Sequence, residues 1–263
     1  MSETKQPTKF ALLVEYDGTR YHGFQWQAGL PTIQAELEKA VKKLCGETSR
    51  VMAASRTDTG VHAKGQVVSF WINHERHYSM QEATLVKALN YYLPSDIAVK
   101  AAYRVNKDFN VRSHALNREY YYYILNGDTR SPFNQRFALF MPRALDVQTM
   151  REACQLIHGE HDFASFATSL DGIRNTVRHV YEADIAKKRE LVIFHIVANS
   201  FLPHQVRNTI GLLLRLGLGK ITVDDFCDIM EAKNPGLAAP TAPACGLWLT
   251  NVNYAKPLGD DGT

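Results

Sequence analysis

The sequence predicts an α+β protein made of two ferredoxin-like halves, each running strand-helix-strand-strand-helix-strand. Three observations lead there. Short apolar runs of strand length are interleaved with amphipathic stretches of helical period. The order of these elements in the first half recurs in the second. A polar break near 106–110 separates the two series, placing the halves at residues 1–106 and 107–263. Two such sheets in one chain are expected to join edge to edge into a continuous mixed or antiparallel sheet, with a ligand cleft between the halves.

The first half starts with "KFALLVEYD" (9–17), an apolar run of strand length that stops at the turn signal Asp17-Gly18. After a loop holding Gly23, Gly29 and Pro31, the stretch "TIQAELEKAVKKLCG" places Ile33, Leu37, Ala40, Val41 and Leu44 on one helical face. Gly46 is its natural stop. "RVMAA" (50–54) and "GQVVSFWI" (65–72) read as the second and third strands. "QEATLVKALNYYL" (81–93) is a helix ended by Pro94, and "IAVKAAYRV" (97–105) a fourth strand.

The second half follows the same plan. "REYYYYIL" (118–125) is a strand, and "DVQTMREACQLIHG" (146–159) a helix with Asp146 as its N-cap. "TVRHVYEADIAK" and "ELVIFHIVAN" form two strands around a polar turn at 187–189, whose Lys187, Lys188 and Arg189 suit a solvated hairpin. "PHQVRNTIGLLLRLGLG" places Pro203 in a first helical turn and ends in a glycine-rich stop. A short helix, "VDDFCDIMEA", precedes a Pro-rich loop at 235–243. "GLWLTNVNY" closes the half as a strand, and the tail "KPLGDDGT" is expected to be loose.

Composition excludes several classes. With 263 residues, 45% hydrophobic and 22% charged, the chain can bury one large core or two modest ones. A formal net charge of +3 permits an acidic partner without demanding one. Cys45, Cys154, Cys227 and Cys245 lie far apart, with no C-x-x-C pair and no zinc spacing, and read as reduced thiols of a cytoplasmic protein. The opening "MSETKQPTKF" has no apolar signal core, and no apolar run nears the roughly 20 residues that span a bilayer. "GLGK" (217–220) ends a helix rather than starting one, so it is not a phosphate loop.

The stretch "SRTDTGVHA" (55–63) lies between the second and third strands and admits three readings. Its Asp-Thr-Gly triplet is that of aspartic proteases, whose two carboxylates share a proton. This chain holds one such triplet, and Arg56 and Thr57 stand where a protease has apolar residues. As a plain surface turn, Asp58 makes an Asx-turn and Gly60 takes a positive φ. As a catalytic loop, it sets an arginine two residues before a carboxylate on a rigid sheet, where functional residues concentrate.

With its neighbours this stretch resembles the tRNA pseudouridine synthase A family, whose motif runs Gly-Arg-Thr-Asp-Ala-Gly-Val-His-Ala ahead of a strand. "EYDGTRYHGFQWQ…TIQAELEKAV" (15–41) resembles the family's opening Tyr-Asp-Gly…Tyr-x-Gly-Phe-Gln segment and first helix. "FNVRSHALNREYYYYI" (109–124), "FLPHQVRNTIGLLLRLGLG" (201–219) and "APACGLWLTNVNY" (242–254) resemble three further segments. The five lie in the family's order and cover nearly the whole chain. Ser55 and Thr59 depart from it, standing where the family usually has Gly and Ala; Thr59 is what creates the protease-like triplet.

The resemblance implies the pseudouridine synthase fold and an isomerase acting on uridines of the tRNA anticodon arm. It implies a homodimer holding tRNA, without cofactor. Breaking the glycosidic bond, turning the base and rejoining it through C5 requires a carboxylate as nucleophile or base; the resemblance puts that role on Asp58. It implies that Arg56 fills the space left by the flipped uridine, that Tyr120 stacks on the base and that Arg112 contacts RNA. Arg207 is implied as the cation keeping Asp58 ionised. Tyr121 and Tyr123 read as strand packing, and His62 and His204 as hydrogen-bonding supports. The reading from a different class is a silent RNA-binding module of two RRM-like halves, but its glycine-aromatic signature is missing.

Overall fold

The computed structural model of the protein describes residues 7–72 and 80–260. Among them, ten strands and five α-helices give an α+β fold with a mixed sheet. The chain packs as two compact units, Met1–Leu116 with Leu249–Thr263, and Asn117–Trp248.

Unit 1 runs β1 (Thr8–Tyr16), α1 (Ile33–Cys45), β2 (Met52–Ala53), β3 (His62–Ile72), α2 (Glu82–Tyr92) and β4 (Ile97–Val105), in the expected order. β1 lies antiparallel between β3 and β4, and the two-residue β2 pairs with β3. Along β1, Phe10, Leu12, Val14 and Tyr16 are buried while Leu13 and Glu15 are half-exposed, the period-2 signature of a sheet with one dry face. Ile33, Leu37, Ala40 and Val41 of α1 and Leu85 and Leu89 of α2 are buried with them. Each buried leucine, isoleucine, valine or phenylalanine among them contributes roughly 1.5–3 kcal/mol by leaving water. Thr32 caps α1 by accepting from the Ala35 N–H, and Gly46 ends it in the left-handed region.

Residues 107–116 and most of the closing strand pack with unit 1, whereas by sequence a second half starts at 107. The rings of Phe109 and Tyr254 lie 5.2 Å apart, and the Tyr254 hydroxyl donates to the Val111 carbonyl at 2.7 Å. After Asp260, whose N–H donates to the Pro257 carbonyl in a turn, the end of the tail lies outside the described residues, as do the first six residues.

Unit 2 takes up most of β5 (Ala115–Leu125), then β6 (Leu139–Phe140), α3 (Val147–Leu156), β7 (Gly159–Asp162), β8 (Val177–Lys188), β9 (Leu191–Ala198), α4 (Gln205–Gly217) and α5 (Val223–Glu231); β10 (Leu247–Tyr254) follows. Its strand order is β5-β9-β8-β7, all antiparallel, with β6 parallel to β5. Tyr120 and Tyr122 of β5 pair with Ile196 and Phe194 of β9, and all four are buried. Met150, Ala153 and Cys154 of α3, Ile210 and Leu213 of α4 and Phe226 of α5 are buried as well.

Two local expectations are corrected. Pro203 lies ahead of α4, not in its first turn. The Gln205 N–H bonds to the Leu202 carbonyl and His204 takes a left-handed φ of 61°, so the helix starts only at Gln205. Lys187 is not simply solvated, because its Nζ donates to Asn126 Oδ1 at 3.1 Å; the hairpin turn falls at Arg189 and Glu190.

Candidate active site

Asp58 is half-buried in the loop joining β2 to β3. What fixes the loop is its neighbour Thr57, which points inward and is 6% exposed. Thr57 Oγ1 lies 2.7 Å from the hydroxyl of Tyr16 at the end of β1. Gln66, buried in β3, donates its Nε2 to that same hydroxyl at 3.3 Å and to the Ser55 carbonyl at 2.7 Å. In return Gln66 Oε1 accepts from the Ser55 N–H at 3.3 Å. A buried polar group left unpaired costs roughly 1–3 kcal/mol, so the loop cannot leave this seat cheaply.

Main-chain bonds hold the other side. The Phe24 N–H donates to the Thr57 carbonyl at 3.0 Å and the Gly60 N–H to the Tyr21 carbonyl at 3.2 Å; within the loop, the Val61 N–H donates to the Asp58 carbonyl at 3.1 Å. Gly23 makes this approach possible. Its φ is +80°, and a Cβ there would sit 2.7 Å from the Thr57 carbonyl, so a side chain would push the loop away. At the loop's exit the fully buried His62 accepts the Gly18 N–H on Nδ1 at 3.1 Å, with Asp17 Oδ1 at 3.2 Å. His62 thus serves as the expected support.

The segment cradling the loop is pinned in turn by Asp96. Its carboxylate accepts from the Tyr21 hydroxyl at 2.6 Å and from Arg20 Nε at 2.8 Å, and its carbonyl accepts the Asp17 N–H at 2.9 Å. Burial, then the bond to Asp96, pushes the Tyr21 phenol well above its usual range. The stretches "YDGTRYHGF" and "SRTDTGVHA" are therefore one device, a cradle and the loop it holds. Sequence reading missed Tyr16, Gln66 and Asp96 as parts of it. One signal was available: Gln66 is a polar residue at the head of the apolar run "VVSFWI" of β3.

Of the other predicted residues, Arg56 shares the loop with Asp58 and is exposed, as is Arg112 in a separate turn of unit 1. There Asn110 Oδ1 accepts the N–H groups of Arg112 and Ser113 at 2.9 and 3.1 Å, an Asx-turn. Tyr120 and Arg207 belong to unit 2. The Tyr120 ring is 6% exposed and meets Phe201 edge-on, with centroids 5.3 Å apart. Tyr121 and Tyr123 occupy the opposite face of β5, where Tyr121 stacks on His195 at 4.5 Å. Arg207, third residue of α4, donates from Nε to the Ala242 carbonyl at 2.8 Å while its own carbonyl accepts the Ala242 N–H, tying the helix start to the Pro-rich loop. His204 Nδ1 lies 2.8 Å from Thr168 Oγ1, again a supporting contact. No helix among the described residues is long and apolar enough to cross a membrane.

A fixed loop presenting one carboxylate beside an arginine suits chemistry on a single reacting base. A family model described as tRNA pseudouridine synthase matches residues 12–112 and 153–255. The chain is 39% identical over 247 residues to "tRNA pseudouridine synthase A" of Francisella tularensis subsp. tularensis (strain SCHU S4 / Schu 4), with 94% of each chain covered. It is 42% identical over 252 residues to the protein of the same name from Roseiflexus castenholzii (strain DSM 13941 / HLO8), covering 94% of this chain and 90% of the relative. Among solved structures, it aligns over 95% of its length with 60% of a chain in the Cbf5-Nop10-Gar1 complex, at 13% identity and a TM-score of 0.33, too low a likeness to define the fold. The chain belongs to the tRNA pseudouridine synthase family and is an isomerase of that kind.

Proposed function

We propose that the chain isomerises uridine to pseudouridine in the anticodon stem-loop of tRNA, with Asp58 as the reacting carboxylate, nucleophile or base. The observation that carries this reading is the double anchoring of the Asp58 loop, through Thr57 to Tyr16 and Gln66, and through the Phe24 and Gly60 amides to the cradle. Positioning of a reacting group is a large part of what an enzyme contributes, and here it is built into buried bonds. The reaction is an isomerisation. The N1–C1′ bond breaks, a C5–C1′ bond forms, the hydrogen on C5 leaves to solvent and N1 gains one.

Arg56, exposed on the same loop, enters the space vacated by the flipped uridine. Arg112 contacts the RNA backbone and Tyr120 stacks on the extruded base. Arg207 belongs to the residues that bind the substrate. The protein works in the cytoplasm as a homodimer on tRNA.

The test is tritium release from tRNA carrying [5-³H]uridine, with tRNA binding measured in parallel. Wild-type protein is expected to release tritium, and Asp58→Asn to bind tRNA with no release. Release that survives the Asn substitution overturns the role of Asp58. Binding without release by the wild type overturns the catalytic reading and leaves an RNA-binding module. Arg207→Ala with unchanged turnover removes Arg207 from the assignment.

A further inference from the structure

The segment between β5 and α3 displays a side chain whose position folding does not explain. Phe133 is 87% exposed, more than any other large hydrophobic side chain among the described residues. It does not sit on a slack tip. The N–H groups of Asn134 and Gln135 both donate to the Ser131 carbonyl at 3.1 Å, and those of Phe137 and Ala138 both donate to the Asn134 carbonyl at 2.8 Å. Pro132 fixes the φ angle just ahead of Phe133. The far end is clamped, since the rings of Phe137 and Trp248 are 5.5 Å apart and Trp248 Nε1 donates to the Phe137 carbonyl at 3.2 Å. Two successive turns are thus ordered to hold a phenyl ring in water, against the gain that burial brings.

The surrounding charge selects the partner. Between 126 and 143 the chain carries Arg130, Arg136 and Arg143 against the single acid Asp128, while the whole protein has a formal excess of only +3. All three arginines are exposed. An aromatic ring with an arginine three positions to either side in the chain suits an unstacked nucleotide, with the ring on the base and the cations on phosphates. A protein partner of apolar character gains nothing from that charge. The segment falls outside the residues matched by the family model, 12–112 and 153–255.

We propose that residues 126–143 form an additional RNA-binding element, in which Phe133 stacks on an unpaired base of the substrate tRNA and Arg130 and Arg136 hold its phosphates. The inference rests on tRNA being the substrate and not on the assignment of Asp58. Because the ring is exposed, Phe133→Ala leaves the fold intact, which thermal melting checks. Full-length Phe133→Ala, Phe133→Trp and Arg130→Gln are compared by tRNA Kd at several salt concentrations and by KM and kcat for tritium release.

Phe133→Ala is expected to raise Kd and KM about tenfold with kcat unchanged, the loss of one base stack. Phe133→Trp restores both. Arg130→Gln lowers the slope of log Kd against log salt by about one. Unchanged Kd and KM in Phe133→Ala overturn the proposal. So does a change in molecular mass in Phe133→Ala by sedimentation, which makes the ring a contact between copies. If the wild type releases no tritium, the isomerase reading fails by itself, and Kd still decides the role of the loop.

Discussion

Thr57 carries a larger share of the site than its size suggests, because it converts the burial of one side chain into the position of the next. Its hydroxyl is shared with Tyr16, and Tyr16 also accepts from Gln66. Replacing it by valine keeps the volume and leaves Tyr16 short of one partner. Thr57→Val is expected to cost about 1–3 kcal/mol of stability by urea titration. It is expected to lower kcat by up to about 100-fold, since a small misplacement of a reacting group is costly. A kcat fall no larger than the stability loss accounts for removes Thr57 from the positioning machinery. At this scale the sequence was partly legible. The motif residues Arg56, Thr57, Asp58 and Gly60 stood out as a group. The carboxyl of Asp96 did not, because its value comes from contacts with Tyr21 and Arg20 more than seventy positions away.

At the scale of elements, local chemistry explains which parts were legible. α1 could be read because its start at Thr32, its stop at Gly46 and its apolar face are all written in neighbouring residues. β7, "GEHD", was missed because it has neither alternation nor β-branched residues; its pairing with β8 makes it a strand. β6 is two residues long and exists only through its neighbour β5. α5 shows the opposite case, a helix with a full capping box, Thr222 bonding the Asp225 N–H and Asp225 returning a bond to the Thr222 N–H. Thr222→Ala is expected to cost about 1 kcal/mol. The bond from the Thr222 backbone holds the Asp225 carboxyl below its usual range, with the Thr222 hydroxyl second. A depressed carboxylate stabilises the fold fully above its unfolded pKa, near 3.8, and that contribution fades as pH falls through the lower folded value. The stability difference between wild type and Asp225→Asn is therefore expected to shrink in acid, as followed by urea titrations at descending pH. A constant difference down to pH 2 contradicts the capping account.

For the molecule as a whole, a chain of 29.7 kDa sets a simple measurement for the proposed homodimer, since sedimentation must return twice that mass at working concentrations. A monomer at those concentrations, with activity unaffected, removes the dimer from the proposal. The repeated element order reads as two halves meeting near 106–110, while the contacts group residues 107–116 and 249–263 with unit 1. Phe109, Val111 and Tyr254 meet there through ring contact and a single hydroxyl bond that no local pattern announces. The cradle around Asp58 has one more use. Its hold on the loop runs through the amide hydrogens of Phe24 and Gly60. Those two protons are built-in gauges: their exchange with solvent deuterium reports how often the loop lifts from its seat, residue by residue and without any substrate. Slower exchange on adding tRNA then measures how much of the site the protein prepares in advance and how much the RNA completes.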